Sequence, residues 1–207
     1  MTPGIGVFED LIMIIVRIWQ PNKVGVGHAS AQCFLDGNPN YISWWPDFGD
    51  KKDSAPGRAL ERYNEDVEME GRPSDWHTTI KGLNERKGLE WWHSFSGNPT
   101  STYDVRGTNC SWAIATFLLK CGAGEKYSLG QHAYNVTTIA PNLGGFGHIL
   151  ASIRAINPYS DMGAKVEYAD YYSAVWTPAD VLRIANICSG KRAEDGLAAA
   201  KATALRH

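Results

Sequence analysis

The sequence predicts an α+β domain in which a central antiparallel sheet packs against one buried helix. Residues 11–19 are apolar and rich in β-branched side chains, which is typical of a buried strand. Residues 24–35 and 41–45 have the composition of two further strands, and the Asp-, Gly- and Asn-rich turn between them indicates a hairpin. Residues 110–121 form the clearest helical pattern in the chain, and it stops at Gly122, a residue typical of helix ends.

Weaker patterns supply the remaining elements. Residues 76–81 predict a strand, and residues 84–95 predict a helix with Asn at its capping position. Residues 177–188 predict another helix, because Thr stands at the cap and Pro at the first helical position. The Ala-rich tail, 191–207, is expected to be helical or frayed. We expect residues 1–207 to form a single domain, since one domain of this length is common.

One segment does not fit a regular element. Residues 47–73 are highly charged and lack apolar periodicity, so we interpret them as a long polar loop or a lid-like insertion. Loops longer than about 12–15 residues are usually functional or disordered. Because this insertion directly follows the hairpin, we expect it to lie beside the cleft, either mobile or folded into a short helix around residues 58–66. Shortening it should then change substrate choice and leave the fold intact.

Composition excludes several classes of protein. Hydrophobic residues make up 43% of the chain and charged residues 20%, which argues against disorder. The formal net charge is −2, and the sequence contains no cluster of basic residues, so a nucleic-acid partner is not expected. The apolar run 11–16 ends at Arg17 and is far shorter than the ~20 residues needed to span a bilayer.

The same run does not look like a targeting signal. Acidic residues, Glu9 and Asp10, precede it where a signal peptide carries basic ones, and no small-residue cleavage site follows. We therefore expect neither a signal peptide nor a transmembrane segment nor stable membrane insertion. The expected location is the cytoplasm of the producing cell, with injection or secretion by a dedicated system left open.

Cysteine and histidine spacing argues against a metal or a disulfide framework. The four cysteines are widely and irregularly spaced, unlike those of a zinc site or of a disulfide-rich secreted domain. His77, His93, His132 and His148 form no short-spaced pair on a helix. The glycine-rich run 144–147 lacks the lysine of a phosphate-binding loop and is interpreted as a turn. We expect no metal and no cofactor.

Two residues form a candidate catalytic pair. His28 lies in a predicted strand among small residues, and Cys110 opens the clearest helix. A helix N-terminus lowers the pKa of a thiol, because its partial positive charge and free N–H groups favour the thiolate. A histidine on a rigid strand is a suitable base and acid. We expect the sulfur and an imidazole nitrogen to lie within about 4 Å of each other.

Each member of the pair also has a simpler interpretation. A buried thiol behaves as a small hydrophobe, and a histidine in a strand is usually a satisfied core residue. The other cysteines, Cys33, Cys121 and Cys188, lack a comparable setting and are assigned to packing. The eight tryptophans of the chain are likewise assigned mainly to the core.

The motifs around the pair resemble those of a known family. The hairpin Gly27-His-Ala-Ser…Asp36-Gly…Tyr41-Ile-Ser-Trp-Trp-Pro46 resembles the histidine hairpin of the circularly permuted papain-like family. Thr108-Asn-Cys-Ser-Trp and the helix that follows resemble its Asn-Cys helix. That family includes permuted relatives of NlpC-type cell-wall peptidases and lecithin:retinol acyltransferase-like enzymes. The resemblance covers roughly residues 20–125 and implies a permuted papain-like fold, with His before Cys in the chain.

The residue that orients the imidazole is where this sequence departs from the family pattern. No second histidine occupies residues 41–46. If Gly37-Asn38 were the two-residue turn, His28 would oppose residue 47, and positions 43, 45 and 47 would share its face. We choose Ser43 from its position in the motif and keep Asp47 in reserve for its charge; a dyad with no third member also stays open. A third residue outside 41–47 would show this register to be wrong.

The resemblance implies a cysteine hydrolase that cleaves or transfers an amide or acyl group. Bacterial members of the group without signal peptides are often toxins or effectors injected by specialised secretion systems, such as type VI secretion. The expected substrate is then a peptidoglycan peptide or a protein, and the expected partners are a cognate immunity protein and the secretion apparatus. The alternatives are a lipid-directed acyltransferase or thioesterase, and a non-catalytic binding module in which Cys110 is a core residue.

Overall fold

The computed structural model describes most of the chain between residues 13 and 127 and a shorter part near its C-terminal end. The described residues are 13–22, 27–47, 54–105, 107–127, 129, 134–135, 174–193 and 195–196. The turn predicted at 144–147, His132, His148 and the tail beyond residue 196 lie outside them.

The described chain begins with five strands, which are followed by a mixture of helices and strands. The elements in chain order are β1 (Met13–Trp19), β2 (His28–Leu35), β3 (Asn38–Ile42), β4 (Trp44–Pro46), β5 (Ser54–Ala59), α1 (Tyr63–Glu70), β6 (Trp76–Lys81), α2 (Glu85–Ser96), β7 (Thr102–Asp104), α3 (Cys110–Lys120), α4 (Ala123–Lys126), β8 (Tyr134–Asn135), β9 (Ala174–Val175) and α5 (Pro178–Cys188). All strand pairs are antiparallel, and the predicted α+β class is confirmed at this level.

The larger sheet forms the centre of the core. Its four strands follow the order β3-β2-β1-β6. Ile14, Val16 and Ile18 pair with Cys33, Ala31 and Ala29, and all six side chains are fully buried. Helices α3 and α5 pack on these strands and on each other. Alternating apolar side chains on one face of a strand predict a sheet covered on that side, and the two helices supply the cover.

The helix ends follow from their capping residues. Asn84 accepts a hydrogen bond from the Lys87 N–H at the start of α2, and Thr177 forms a capping box with Asp180 at the start of α5. Helix α3 is followed by Gly122 in the left-handed conformation, with φ of 92°. Among the described helices, none is both long and apolar enough to cross a membrane.

The predicted hairpin is present, but its turn and its second strand differ from the prediction. Leu35 pairs with Asn38, so the turn is Asp36-Gly37, and both turn residues have positive φ, 52° and 79°. A type I′ turn needs positive φ at both positions, and Asp-Gly is a preferred pair there. The predicted Gly37-Asn38 turn was therefore wrong by one residue. With this turn the position opposite His28 moves from residue 47 to residue 45. Because side chains alternate along a strand, a shift of two residues keeps the same side chains on the face of His28.

The strand predicted over 41–45 is divided between two sheets. β3 ends at Ile42, and β4 then leaves β2 to pair with β5 in a second sheet of order β4-β5-β7. Ser43 is the residue between them, and its carbonyl accepts a hydrogen bond from the Leu60 N–H at 3.2 Å. The break lets side chains from both sheets point toward one end of β2.

The polar insertion is more ordered than the sequence suggested. Within 47–73 the structure places strand β5 and helix α1, so the interpretation as a loop was wrong for this part of the segment. The short helix expected in this segment is present as α1, but it begins at Tyr63 and not near residue 58, and Gly71, whose φ is 69°, is its C-cap. Strand β5 has no apolar alternation that would have identified it. Backbone pairing with β4 on one side and β7 on the other holds it in the sheet. Helix α1 buries a single residue, Asp66, so its sequence has no hydrophobic stripe from which the helix could be predicted.

Because β5 is a central strand, we expect Gly57→Ala to destabilise the fold. A Cβ at this position would overlap the ring of Trp44, which is fully buried and cannot give way cheaply. Overpacking of this kind costs about 1–3 kcal/mol of unfolding free energy. Urea denaturation measures the loss, and Gly107→Ala is the matched control, since its added Cβ would meet nothing closer than 3.9 Å. Equal stability of the two variants would restore the view of this segment as a detachable lid.

Candidate active site

His28 is held at the start of β2, between two tryptophan rings. It is 1% exposed, and the Trp45 ring stacks on it at a centroid distance of 4.5 Å. The Trp19 ring, from the neighbouring strand β1, lies at a centroid distance of 5.4 Å from the imidazole. Gly27 precedes it with φ of 83°, and any Cβ there would collide with the Trp19 carbonyl. Local packing therefore leaves the imidazole little freedom to turn.

One ring nitrogen of His28 faces two oxygen atoms. The imidazole Nε2 lies 3.0 Å from Ser43 Oγ and 3.2 Å from Asp66 Oδ1. The Ser43 hydroxyl donates a hydrogen bond to the same carboxylate oxygen at 2.7 Å. Because the serine hydroxyl gives its own proton to the carboxylate, its oxygen accepts the Nε2–H, and the carboxylate oxygen lies beside this hydrogen bond.

Asp66 is fully buried and is surrounded by donors from the hairpin. The Trp45 indole N–H donates to Oδ1 at 2.7 Å, and the Tyr41 hydroxyl donates to Oδ2 at 2.6 Å. With the serine hydroxyl and the imidazole, four groups contact this carboxylate. A buried carboxylate that accepts several hydrogen bonds is stabilised in its ionised form.

The structure confirms the predicted contact of Ser43 with His28 and adds a carboxylate that the sequence did not single out. Ser43 does contact His28, as its position in the motif suggested, but the carboxylate is Asp66 and lies outside 41–47. Asp47, held in reserve for its charge, is exposed, and its N–H bonds the Pro56 carbonyl at 2.7 Å. The charge argument favoured a carboxylate beside the imidazole, and one is present, but it belongs to Asp66 and not to Asp47. Asp66 lies in α1, within the segment that was interpreted as a loop.

Cys110 is the first residue of α3 and is 5% exposed. Asn109 caps the helix by accepting the Trp112 N–H at 2.8 Å. The same side chain donates to the carbonyls of Val105 and Trp176, each at 3.0 Å. The capping residue therefore ties the start of the helix to two other segments, and the thiol position is fixed by tertiary contacts as well as by the helix.

Four groups surround the Cys110 thiol. It forms a side-chain hydrogen bond with His28 and accepts one from the Ala29 backbone N–H. Ser111 Oγ lies 3.9 Å from the sulfur. The Tyr103 hydroxyl is the fourth group, and burial together with the neighbouring Cys110 raises its pKa well above the ordinary value. The sequence did not single out Tyr103, because a tyrosine in a three-residue strand carries no spacing signal.

The electrostatics favour a thiolate–imidazolium pair. Burial alone would lower the pKa of His28, but the charges and hydrogen bonds of Asp66 and Cys110 raise it to about 10. Burial opposes ionisation of Asp66, yet its contacts with His28 bring its pKa down to about 2. Burial likewise opposes ionisation of Cys110, and the His28 charge outweighs it, so the thiol pKa lies below its ordinary value.

The other cysteines show the contrast. Burial raises the pKa of Cys33 to about 12 and that of Cys188 to about 11. The pKa of Cys121 is raised even further by burial. Each of these thiols stays protonated near neutral pH, in agreement with their assignment to packing. Cys110 alone of the four has a lowered thiol pKa.

No metal site accompanies this arrangement in the described residues, where no group of three or more His, Cys, Asp or Glu side chains is placed to hold an ion. His77 and His93 are exposed on separate elements.

Comparison of the chain with protein-family models, curated proteins and solved structures finds no match. The functional assignment therefore depends on the chemistry of the site itself.

Proposed function

We propose that the chain is a thiol-dependent hydrolase that cleaves or transfers an amide or acyl group through Cys110. More particularly, we propose a member of the circularly permuted papain-like cysteine hydrolases. The observation that carries the proposal is the buried chain of contacts from Cys110 through His28 to Asp66, at the start of a helix that packs on the strand bearing the histidine. The order of His before Cys and the sheet–helix arrangement support the permuted form.

In the first step the Cys110 thiolate attacks the substrate carbonyl carbon. A C–S bond forms, and the carbonyl π electrons move to oxygen. Because His28 Nε2 faces Asp66 and Ser43, the proton on the other ring nitrogen is the one available at the thiol. The imidazolium gives that proton to the leaving nitrogen or oxygen as its bond to carbon breaks, which leaves a thioester.

Tyr103 is placed to stabilise the oxyanion. In the free protein the thiol and the backbone N–H of Cys110 both act on the pKa of this hydroxyl, which is buried beside them. When the sulfur bonds to carbon and loses its charge, the hydroxyl and the N–H become available to the new oxyanion beside it. Donors already in place at the developing charge are the usual source of such stabilisation.

The second step reverses the proton transfers. Neutral His28 removes a proton from water, or from another acceptor nucleophile, which attacks the thioester carbon. The C–S bond breaks, the thiolate returns, and the imidazolium is restored beside Asp66. The carboxylate keeps its charge throughout, so its role is to position the ring and to stabilise its protonated form.

The resemblance extends the proposal to a substrate class. We propose that the substrate is a peptidoglycan peptide or a protein, and that the chain acts as a bacterial effector with a cognate immunity protein. The chemistry of the site is the same for both substrates, since each presents a peptide-like carbonyl to the thiolate. Digestion of purified cell-wall peptides and of a casein-type protein separates the two.

Thiol alkylation tests the site without a known substrate. At pH 7 we expect Cys110 to react with iodoacetamide about tenfold or more faster than an ordinary thiol, which is only a few per cent ionised at that pH. The rate should reach its plateau at a lower pH than the rate of an ordinary thiol, because the thiol pKa is lowered and the imidazolium persists to about pH 10.

The matched control is Cys110→Ala, which should leave only the slow reaction of the three thiols of raised pKa. A Cys110 rate that still climbs steeply through pH 8.5–9, like that of an unperturbed thiol, would overturn the catalytic assignment and favour a binding module.

A further inference from the structure

A second carboxylate lies one helical turn from Asp66. Glu70 is the last residue of α1, four positions after Asp66, and residues four apart lie on the same helix face about 6 Å apart along the axis. Since Asp66 faces His28, Glu70 points toward the same side of the molecule. It is half-buried and not fully exposed like Glu68, its neighbour on the helix.

Glu70 lies within electrostatic reach of the groups that flank the thiol. Its charge acts on Tyr103, whose hydroxyl contacts Cys110, and the charge of His28 acts in turn on Glu70. The carboxylate therefore lies one helical turn from the group that contacts His28, within reach of the charges of the site. It does not belong to the proton-transfer chain, because His28 already has Asp66 and Ser43 at its Nε2.

Within the described ranges this carboxylate has no hydrogen bond and no ion pair. Two cations act on its charge, the His28 imidazolium and Arg72, and Arg72 itself pairs with Asp75 and donates to the Gln20 carbonyl at 2.6 Å. Burial raises the pKa of Glu70, as expected for a carboxyl group that lacks a partner. A half-buried acid beside a reactive centre, with no structural partner, is suited to a partner that arrives with the substrate.

The charges of the site point the same way. The thiolate, the imidazolium and the Asp66 carboxylate sum to one negative charge, and Glu70 makes two. We propose that Glu70 is a specificity residue that binds a cationic group, an ammonium or a guanidinium, carried by the substrate close to the scissile carbonyl. This inference rests on the proposed function, because it assigns a substrate feature to the same site.

Charged thiol reagents that share one reactive group test the inference. The wild-type protein is treated at pH 7 with competing 2-aminoethyl and 2-sulfonatoethyl methanethiosulfonate, which carry a positive and a negative charge. Mass spectrometry of the Cys110 peptide then gives the ratio of the two adducts. Both reagents transfer their RS group to the thiolate and release methanesulfinate, and comparing the ratio between variants cancels their differences in size and intrinsic reactivity. Neutral methyl methanethiosulfonate measures the reactivity of Cys110 itself.

We expect Glu70→Gln to lower the cation-to-anion ratio about tenfold relative to wild type. The substitution removes a negative charge that attracts the cationic reagent and repels the anionic one. Glu70→Lys should reverse the preference. Glu68→Gln is the matched control, since it removes an equal charge from an exposed position on the same helix, and should change the ratio less than about twofold. Circular dichroism confirms that each variant is folded.

Two different failures are distinguishable. If Cys110 stays highly reactive toward the neutral reagent while Glu70→Gln and Glu68→Gln give the same ratio, Glu70 does not select charge, and the hydrolase proposal stands. If the neutral reagent reacts with Cys110 no faster than with free cysteine, the hydrolase proposal itself fails, whatever the ratio.

Discussion

Cys110→Ala is expected to abolish acyl-enzyme formation. With p-nitrophenyl acetate as an acyl donor, the wild-type protein should release a burst of p-nitrophenolate equal to its concentration of active sites, and the variant should release none. The steady rate should fall by on the order of 10⁴-fold or more, because removing the nucleophile leaves only binding and oxyanion stabilisation. Cys110→Ser should fall almost as far, since a hydroxyl is not ionised by the same surroundings.

Cys188→Ala is the control for this experiment. Cys188 is buried in α5, and its pKa is raised to about 11, so its loss should preserve the burst. A burst of full amplitude from Cys110→Ala would show that another group is acylated and that the assignment of the nucleophile is wrong.

Asp66→Asn is expected to lower the rate of acylation by about 10²- to 10⁴-fold. The amide keeps the shape of the side chain, but it removes the negative charge that holds His28 protonated and in one orientation. The upper limb of the pH–rate profile should move below the pKa of about 10 that His28 has beside the carboxylate. The lower limb should move up, because a thiolate without a stable imidazolium forms less readily.

Two variants of neighbouring residues sharpen this experiment. Ser43→Ala should cost less than Asp66→Asn and leave the pH limits nearly in place, since the carboxylate remains within 3.2 Å of the ring nitrogen. Asp47→Asn removes an exposed acid that the hairpin register had suggested, and it should have no effect. A loss at Ser43 or Asp47 larger than that at Asp66 would return the orienting role to the hairpin.

Stability measurements separate positioning from folding in the Asp66 variant. The carboxylate accepts hydrogen bonds from Tyr41, Ser43 and Trp45, and an amide can accept only some of them. If the loss of rate came only from partial unfolding, it would disappear under strongly stabilising conditions. A change in the pH limits in the fully folded variant is the signature of a positioning role.

The candidate catalytic pair could be found from the sequence because each member depends on local structure. Cys110 opens a helix that small and apolar residues define, and His28 opens a strand among small residues, so both could be recognised without knowing where the other lies. The caps at Asn84 and Thr177 were readable for the same reason, since a side chain there satisfies a backbone group only two or three residues away.

The positions of Asp66 and Tyr103, the proposed orienting carboxylate and the proposed oxyanion donor, were decided only by the tertiary structure. Asp66 lies in a helix with no apolar stripe, and Tyr103 lies in a strand of three residues, so neither has a periodic pattern around it. What places them is the departure of the chain from the first sheet at Ser43, which brings β5, α1 and β7 round to the end of β2. That path depends on backbone pairing between strands far apart in the chain, and such pairing leaves no trace in the residues it joins.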